Sequence, residues 1–238
     1  MREMKSILYY LLVNVRRTFI IFWIILTSIY MVSMIFSFIV NNEHVFFQAY
    51  FPVYIFSMVI GMWTVKNALP YLLKMGITRK MMYGSIWLYF FIFAVVNVLL
   101  AHLYSFITSL LNRTQTGGTF TIVNGVEEYV FDFTHIAQFL TNDTLINRVL
   151  VDIILCMTVL TFMFIMGLIF YQYGLIGGFS FVGLFLIAYF ILLATDGLMD
   201  VFSYIYNNFT MVLFYQLLGI TCLLYLLSYI ILRRFTLK

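Results

Sequence analysis

Three histidines, two cysteines and nine carboxylates are the residues of this 238-residue chain that could do acid–base, metal or nucleophilic chemistry. A metal site needs ligands on one face of an element, and His44, His102 and His135 have neither such a spacing nor an H-E-x-x-H pattern. Cys156 and Cys222 each stand alone inside an apolar run, so they read as small core residues and not as a zinc site or a disulfide framework. No G-x-S-x-G marks a nucleophile elbow. The paired carboxylates Glu127/Glu128 and Asp196/Asp200 fall in segments read below as external, where solvation accounts for them. Asp196 and Asp200, four apart, could also share a helix face and hold a cation. "GLIGG", residues 174–178, is not followed by Gly-Lys-Ser/Thr and is no phosphate loop. The reading is therefore of a chain with no catalytic set, no bound metal and no cofactor of its own.

The elements that carry these residues are dictated by composition. Hydrophobic residues make up 64% of the chain, charged residues only 9%, and the mean hydropathy is +1.05. A soluble domain is nearer half apolar and a quarter charged. Uninterrupted apolar runs of twenty residues or more predict membrane spans, and spans in lipid are expected to be helices because every backbone group must be satisfied internally. We read six: 18–40, 49–69, 84–111, 149–173, 175–195 and 211–232. The first run is too long, and lacks the small-residue cleavage site, for a signal peptide. The expected fold class is an all-α integral membrane protein.

Charge sets the expected orientation. Eleven of the 13 Lys and Arg fall on one side of this six-span layout: Arg2, Lys5, Arg16, Arg17, Lys66, Lys74, Arg79, Lys80, Arg233, Arg234 and Lys238. Eight of the nine acids fall on the other side, with Arg113 and Arg148. Basic loops stay in the cytoplasm, so both termini are expected inside the cell membrane. This arrangement explains the net charge of +4 without a nucleic-acid partner. Residues 1–17 are expected to form an amphipathic helix in the cytoplasmic interface, with Met4, Ile7, Leu8, Leu11 and Val15 on its apolar face. The external segment 112–147 is the one long connection; its aromatic and aliphatic content predicts a small ordered cap. The segment 196–209 is apolar enough to dip back into the interface.

Polar groups inside the spans are few. Asn97 and His102 either hold neighbouring helices together or line a translocation path. Asp152 is expected to reach outward and meet Arg148, one turn earlier on the same face. Gly174, Gly177, Gly178 and Gly183 predict a tight turn with close helix packing.

One stretch is shaped beyond what topology requires: "LPYLLKMGITRKMMYGS", residues 69–85. Pro70 suits a helix start. Tyr71, Leu72, Leu73 and Met75 make a short apolar surface, and Gly76 stands where a C-cap glycine is expected. Thr78 is placed to N-cap the next helix, with Arg79 and Lys80 in its first turn. Helix, glycine stop, cap, helix predicts a compact cytoplasmic knob over residues 69–82.

That run resembles the coupling segment of ABC-2-type transporter permeases, in particular the short six-span subunits of Gram-positive bacteria. The six-span layout, the N-terminal interfacial helix and the cytoplasmic termini are similar as well; the 112–147 segment is longer than in the simplest members. The resemblance implies that Tyr71, Leu73, Lys74, Met75, Gly76 and Ile77 form a knob received by a separate ABC ATPase subunit, with Thr78, Arg79 and Lys80 fixing its exit. It implies that ATP and Mg bind on that partner, that a second permease subunit completes the channel, and that an amphipathic peptide, drug or lipid is exported. Three other readings stay open on the residues alone. They are a non-transporting immunity or sensor partner, a substrate-binding membrane subunit of an uptake system, and a membrane enzyme.

Overall fold

The computed structural model describes residues 2–40, 50–111, 122–123, 126–127, 144–195, 197–207 and 209–233. Its helices are α1 (Arg2–Val40), α2 (Tyr50–Trp63), α3 (Leu69–Lys74), α4 (Arg79–Leu111), α5 (Leu145–Ala194), α6 (Gly197–Asn207) and α7 (Met211–Arg233), with a π-helical turn, Thr64–Ala68, between α2 and α3. Among the described residues, four helical stretches are long and apolar enough to cross a membrane: Glu3–Val32, Arg79–Ile107, Leu145–Ala194 and Met211–Arg233. They mark a membrane-embedded chain. Of the 112–147 segment, Ile122–Val123 and Val126–Glu127 pair as a short antiparallel ladder, and residues 144–147 open α5; the rest lies outside the described residues, as do His44, His135 and Asp196.

Residues 1–17 and 18–40 do not form separate elements: α1 is unbroken from Arg2. No Gly or Pro interrupts the run, and one stripe continues along it. Ile7, Leu11, Val15, Leu26 and Tyr30 recur at helical spacing and are all buried, with Phe19 and Phe22 half-buried between them. Ile7, Leu11 and Val15 belong to the main core, so most of the expected interfacial stripe is covered by protein, leaving Met4 exposed.

Helix α3 begins at Leu69 with Pro70 in its first turn, as expected, but no break in the helical backbone separates it from α2. Pro70 cannot donate a backbone hydrogen bond, and its ring crowds the carbonyl four residues earlier. The π turn just before it resolves this: the Leu69 amide bonds back to the Thr64 carbonyl, one residue further than in an α-helix. The backbone stays right-handed helical through Trp63, Ala68 and Leu69, so residues 50–74 are one rod of about 37 Å at ~1.5 Å per residue.

Helix α5 is 50 residues long, but Gly174 within it has φ 72° and ψ −168°. The rings of Phe170 and Phe179 are 6.0 Å apart, and those of Phe162 and Phe185 6.1 Å apart. A straight helix would separate the second pair by about 34 Å. The chain therefore doubles back at Gly174 as an antiparallel hairpin of two rods, 145–173 and 175–194. A left-handed φ is open to glycine without a Cβ clash, which is why the reversal sits there. Gly178, whose Cβ position the Phe170 ring occupies, lets the two arms touch.

The core lies between α1, α2, α4, the first arm of α5, and α7. Tyr89, Phe90 and Phe164 are its largest fully buried side chains. Helix α2 and the π turn meet α5 closely at Gly61 and Gly167. A Cβ on Gly61 would stand 2.6 Å from the Leu160 carbonyl oxygen, and one on Gly167 would stand 3.0 Å from the Val65 side chain. Replacing Gly61 with alanine should therefore lower stability by about 1–3 kcal/mol through overpacking. Gly84→Ala, where a Cβ meets nothing within 4 Å, should be neutral or mildly stabilising; thermal unfolding of the two purified variants makes the comparison.

Candidate functional site

Two groups of residues stand out. One is the tip between α3 and α4. Its turn is a Schellman motif: Gly76 N–H donates to the Leu73 carbonyl at 3.0 Å, and Ile77 N–H donates to the Leu72 carbonyl at 3.4 Å. Gly76 has φ 76°, the left-handed value the motif requires. Met82 N–H donates to the Thr78 carbonyl at 3.0 Å, which puts Thr78 at the N-cap position of α4.

Burial divides the tip in two. Leu69 and Leu72 are in the core, and Leu73 and Ile77 pack against it. The expected apolar surface is thereby reduced: Leu72 is an anchor, and Tyr71 (41% exposed) and Met75 (59% exposed) are the large apolar residues on show. Lys74, Gly76, Thr78, Arg79 and Lys80 are exposed around them. Two contacts brace the tip from outside. Tyr71 stacks on Tyr10 of α1 with ring centroids 4.6 Å apart, and the Arg79 guanidinium donates to the Arg233 carbonyl at the end of α7. A cation on the last carbonyls of a helix also meets the negative end of its dipole. One turn further along α4, Tyr83 and Tyr225 stack at 4.2 Å, and each hydroxyl donates to the other's backbone carbonyl.

The second group is a polar seam at the opposite end of the 50–74 rod, where α2, α4 and α5 meet. Asp152 does not reach outward: it is 1% exposed. Tyr54 Oη donates to its Oδ1 at 2.8 Å, and His102 Nε2 lies 3.0 Å from its Oδ2. An aspartate side chain is too short to snorkel, and two partners on neighbouring helices are nearer than bulk water. His102 Nδ1 lies 3.2 Å from the Tyr50 hydroxyl. About one turn deeper, Ser57 spends its single proton on the Val53 carbonyl at 2.9 Å. Its oxygen must then accept from Asn97 Nδ2 at 3.3 Å and from the Cys156 thiol at 3.2 Å. Asn97 thus ties α4 to α2, the packing half of the expectation for it. Thr158 and Thr221 add a hydroxyl contact of 2.8 Å between α5 and α7.

Polarity within an apolar span marks Asn97 and His102 in the sequence, whereas Tyr50, Tyr54, Ser57 and Gly61 are individually ordinary residues of such a run. A signal for them exists: with Thr64 they recur at 4, 3, 4 and 3 residues, a polar and small stripe along one face of an otherwise apolar span. Among the described residues no cluster of three or more His, Cys, Asp and Glu could hold a metal ion.

No family model matches the chain, no curated protein matches it, and no solved structure matches it.

Two changes separate these groups. Gly76→Ala should cost about 1–2 kcal/mol from the left-handed backbone alone, with Gly76→Asn costing less. Tyr54→Phe removes a donor from a buried carboxylate and should cost about 1–3 kcal/mol, whereas the exposed Tyr9→Phe should leave thermal unfolding unchanged.

Proposed function

We propose that this chain is the membrane-spanning permease subunit of an ATP-driven exporter, engaged through residues 69–82 by a separate ABC ATPase. The observation that carries the reading is the tip itself. A Schellman turn fixes its backbone, Leu72 and Ile77 anchor it, and Tyr71, Lys74, Met75 and Lys80 are left on the surface. Two apolar side chains ringed by cations suit a groove with an apolar floor and acidic walls on the partner. A knob that only marked topology would not need a locked backbone.

Six membrane crossings follow in this reading. The rod 50–74 and the two arms of α5 are each long enough to cross about 30 Å of hydrocarbon, as are α1, α4 and α7. Lys74, Arg79, Lys80 and Arg233 gather at one end of the bundle, and the tip, both termini and the Gly174 turn would lie on the cytoplasmic side of the cell membrane. ATP and Mg bind the partner, and a second permease, identical or related, completes the translocation path. The seam holding Asn97 and His102 moves with the outer ends of α2, α4 and α5 as access changes. The cargo class is an amphipathic peptide, drug or lipid.

The test is co-purification with the ATPase encoded nearest to the gene, with ATP turnover measured for the wild type and for Lys74→Glu, Met75→Asp, Lys80→Glu combined. These positions are exposed, so insertion should persist while affinity falls by ~10-fold or more, about 1.4 kcal/mol. Absence of binding by the wild type, or an unaffected variant, removes the exporter reading.

A further inference from the structure

We propose that Arg16, Arg17 and Lys66 form a binding belt for the phosphate headgroups of anionic phospholipids, at the end of the bundle that carries the tip. The proposal needs only the membrane-embedded character of the chain and stands apart from the exporter reading.

Two ring stacks fix the heights of these residues. Tyr10 lies on Tyr71 with centroids 4.6 Å apart, and Phe22 lies on Phe56 at 4.0 Å. Arg16 is halfway along α1 between Tyr10 and Phe22, and residues 63 and 64 are halfway along the rod between Phe56 and Tyr71. At ~1.5 Å per residue, Arg16, Arg17 and Lys66 stand within about 5 Å of one another along the bundle.

Their surroundings face lipid. Phe51, Ile55, Val59 and Met62 recur along one side of α2 and are all exposed, and Lys66 is the next position of that stripe. On α1, Ile24 and Ile21 form an exposed row whose next position toward the tip is Arg17. In a membrane-embedded chain such rows lie against hydrocarbon, so the cation ending each row stands where hydrocarbon gives way to headgroups. Lys5 and Lys74 stand about 12–16 Å nearer the tip, past a headgroup layer of about 5–8 Å. Between the two levels Tyr9 is 71% exposed and presents the amphipathic ring that a headgroup layer accepts.

The belt has no acid of its own. Among the described residues its three cations are exposed and form no ion pair or hydrogen bond with the protein. Glu3, the one described acid at this end, is about 20 Å along α1 from Arg16. A guanidinium offers a fork of N–H donors that matches two phosphate oxygens, and an ammonium adds a point charge. A zwitterionic headgroup brings an ammonium for which this surface has no carboxylate. The belt therefore selects phospholipids of net negative charge.

The test reads the preference of the full-length chain for phosphatidylglycerol over phosphatidylcholine. Native mass spectrometry counts the lipids retained from mixed nanodiscs, and Tm is compared in phosphatidylcholine nanodiscs with and without phosphatidylglycerol. Wild type should prefer phosphatidylglycerol and melt higher with it. Arg16→Gln, Arg17→Gln and Lys66→Gln combined should lose about fivefold in preference for each cation removed, and most of the Tm gain. Lys66→Gln alone keeps both arginines to hold the orientation; it serves if the triple variant does not insert, and should lose about fivefold. Lys5→Gln removes the same charge from α1 but lies about 16 Å from Arg16, beyond the Debye length of ~8 Å at physiological salt, and should lose less than about twofold. Three results would overturn the proposal: no preference in the wild type, an unchanged preference in either glutamine variant of the belt, or a Lys5→Gln loss as large as that of Lys66→Gln. A fourth is inorganic phosphate, added to phosphatidylcholine nanodiscs, reproducing the Tm gain, which would assign the belt to soluble anions.

Discussion

The close approach of α2 and α5 at Gly61 and Gly167 is the constraint on which the other features depend. Two helices whose side chains would hold them 8–10 Å apart come nearer where one side offers no Cβ. Here the backbone of α5 near Leu160 fills the place of a side chain on Gly61, and Val65 of the π turn fills that place on Gly167. Above this contact, Ser57 and Tyr54 are brought within hydrogen-bonding reach of Cys156 and Asp152. Below it, because Pro70 is absorbed by a π turn instead of breaking the rod, the same registration carries on into α3 and sets where the tip stands.

The two ends of the bundle are held by different chemistry. At the tip end, aromatic stacking and backbone carbonyls dominate: Tyr10 on Tyr71, Tyr83 with Tyr225, and Arg79 on the last turn of α7. These contacts join α1, α3, α4 and α7 without burying a carboxylate. At the other end the contacts are between side chains, and one of them is ionisable on both sides. A buried network of that kind is stable only while its members are matched, which makes it sensitive to the loss of any one of them. The second arm of α5 differs from both. Leu184, Phe185, Leu186, Ile187, Phe190 and Ile191 are all exposed, so the arm is apolar on its outer faces as well as where it packs on the first arm.

Much of this was legible in the residues because local rules decide it. Gly76 after Lys74-Met75 announces a helix stop, since only glycine takes the left-handed backbone freely, and the turn forms as the pattern says. Gly174 announces the reversal for the same reason. Pro70 reads as a helix start, and α3 does begin at Leu69 with the proline in its first turn, joined to α2 through a π turn that no local pattern announces. A rule that looks along one helix points Asp152 outward to Arg148, the nearest opposite charge, and finds neither its burial nor its contacts on other helices. Two of its partners, His102 and Tyr54, lie 50 and 98 residues away in the chain.

The sequence by itself determined the membrane-embedded helical class, the positions of its long apolar runs, and the shaped tip. Those follow from composition and from the conformational limits of single residues, which need no knowledge of neighbours. Only the tertiary structure decided which half of the tip is anchor and which is surface, that α1 is one helix with a single stripe buried, and that Tyr50, His102, Asp152 and Tyr54 share a site. Those depend on helices far apart in the chain meeting face to face. The stripe from Tyr50 to Thr64 marks one face of the 50–74 rod, but which helix meets that face, with close packing at Gly61 and Gly167, is not encoded within the segment.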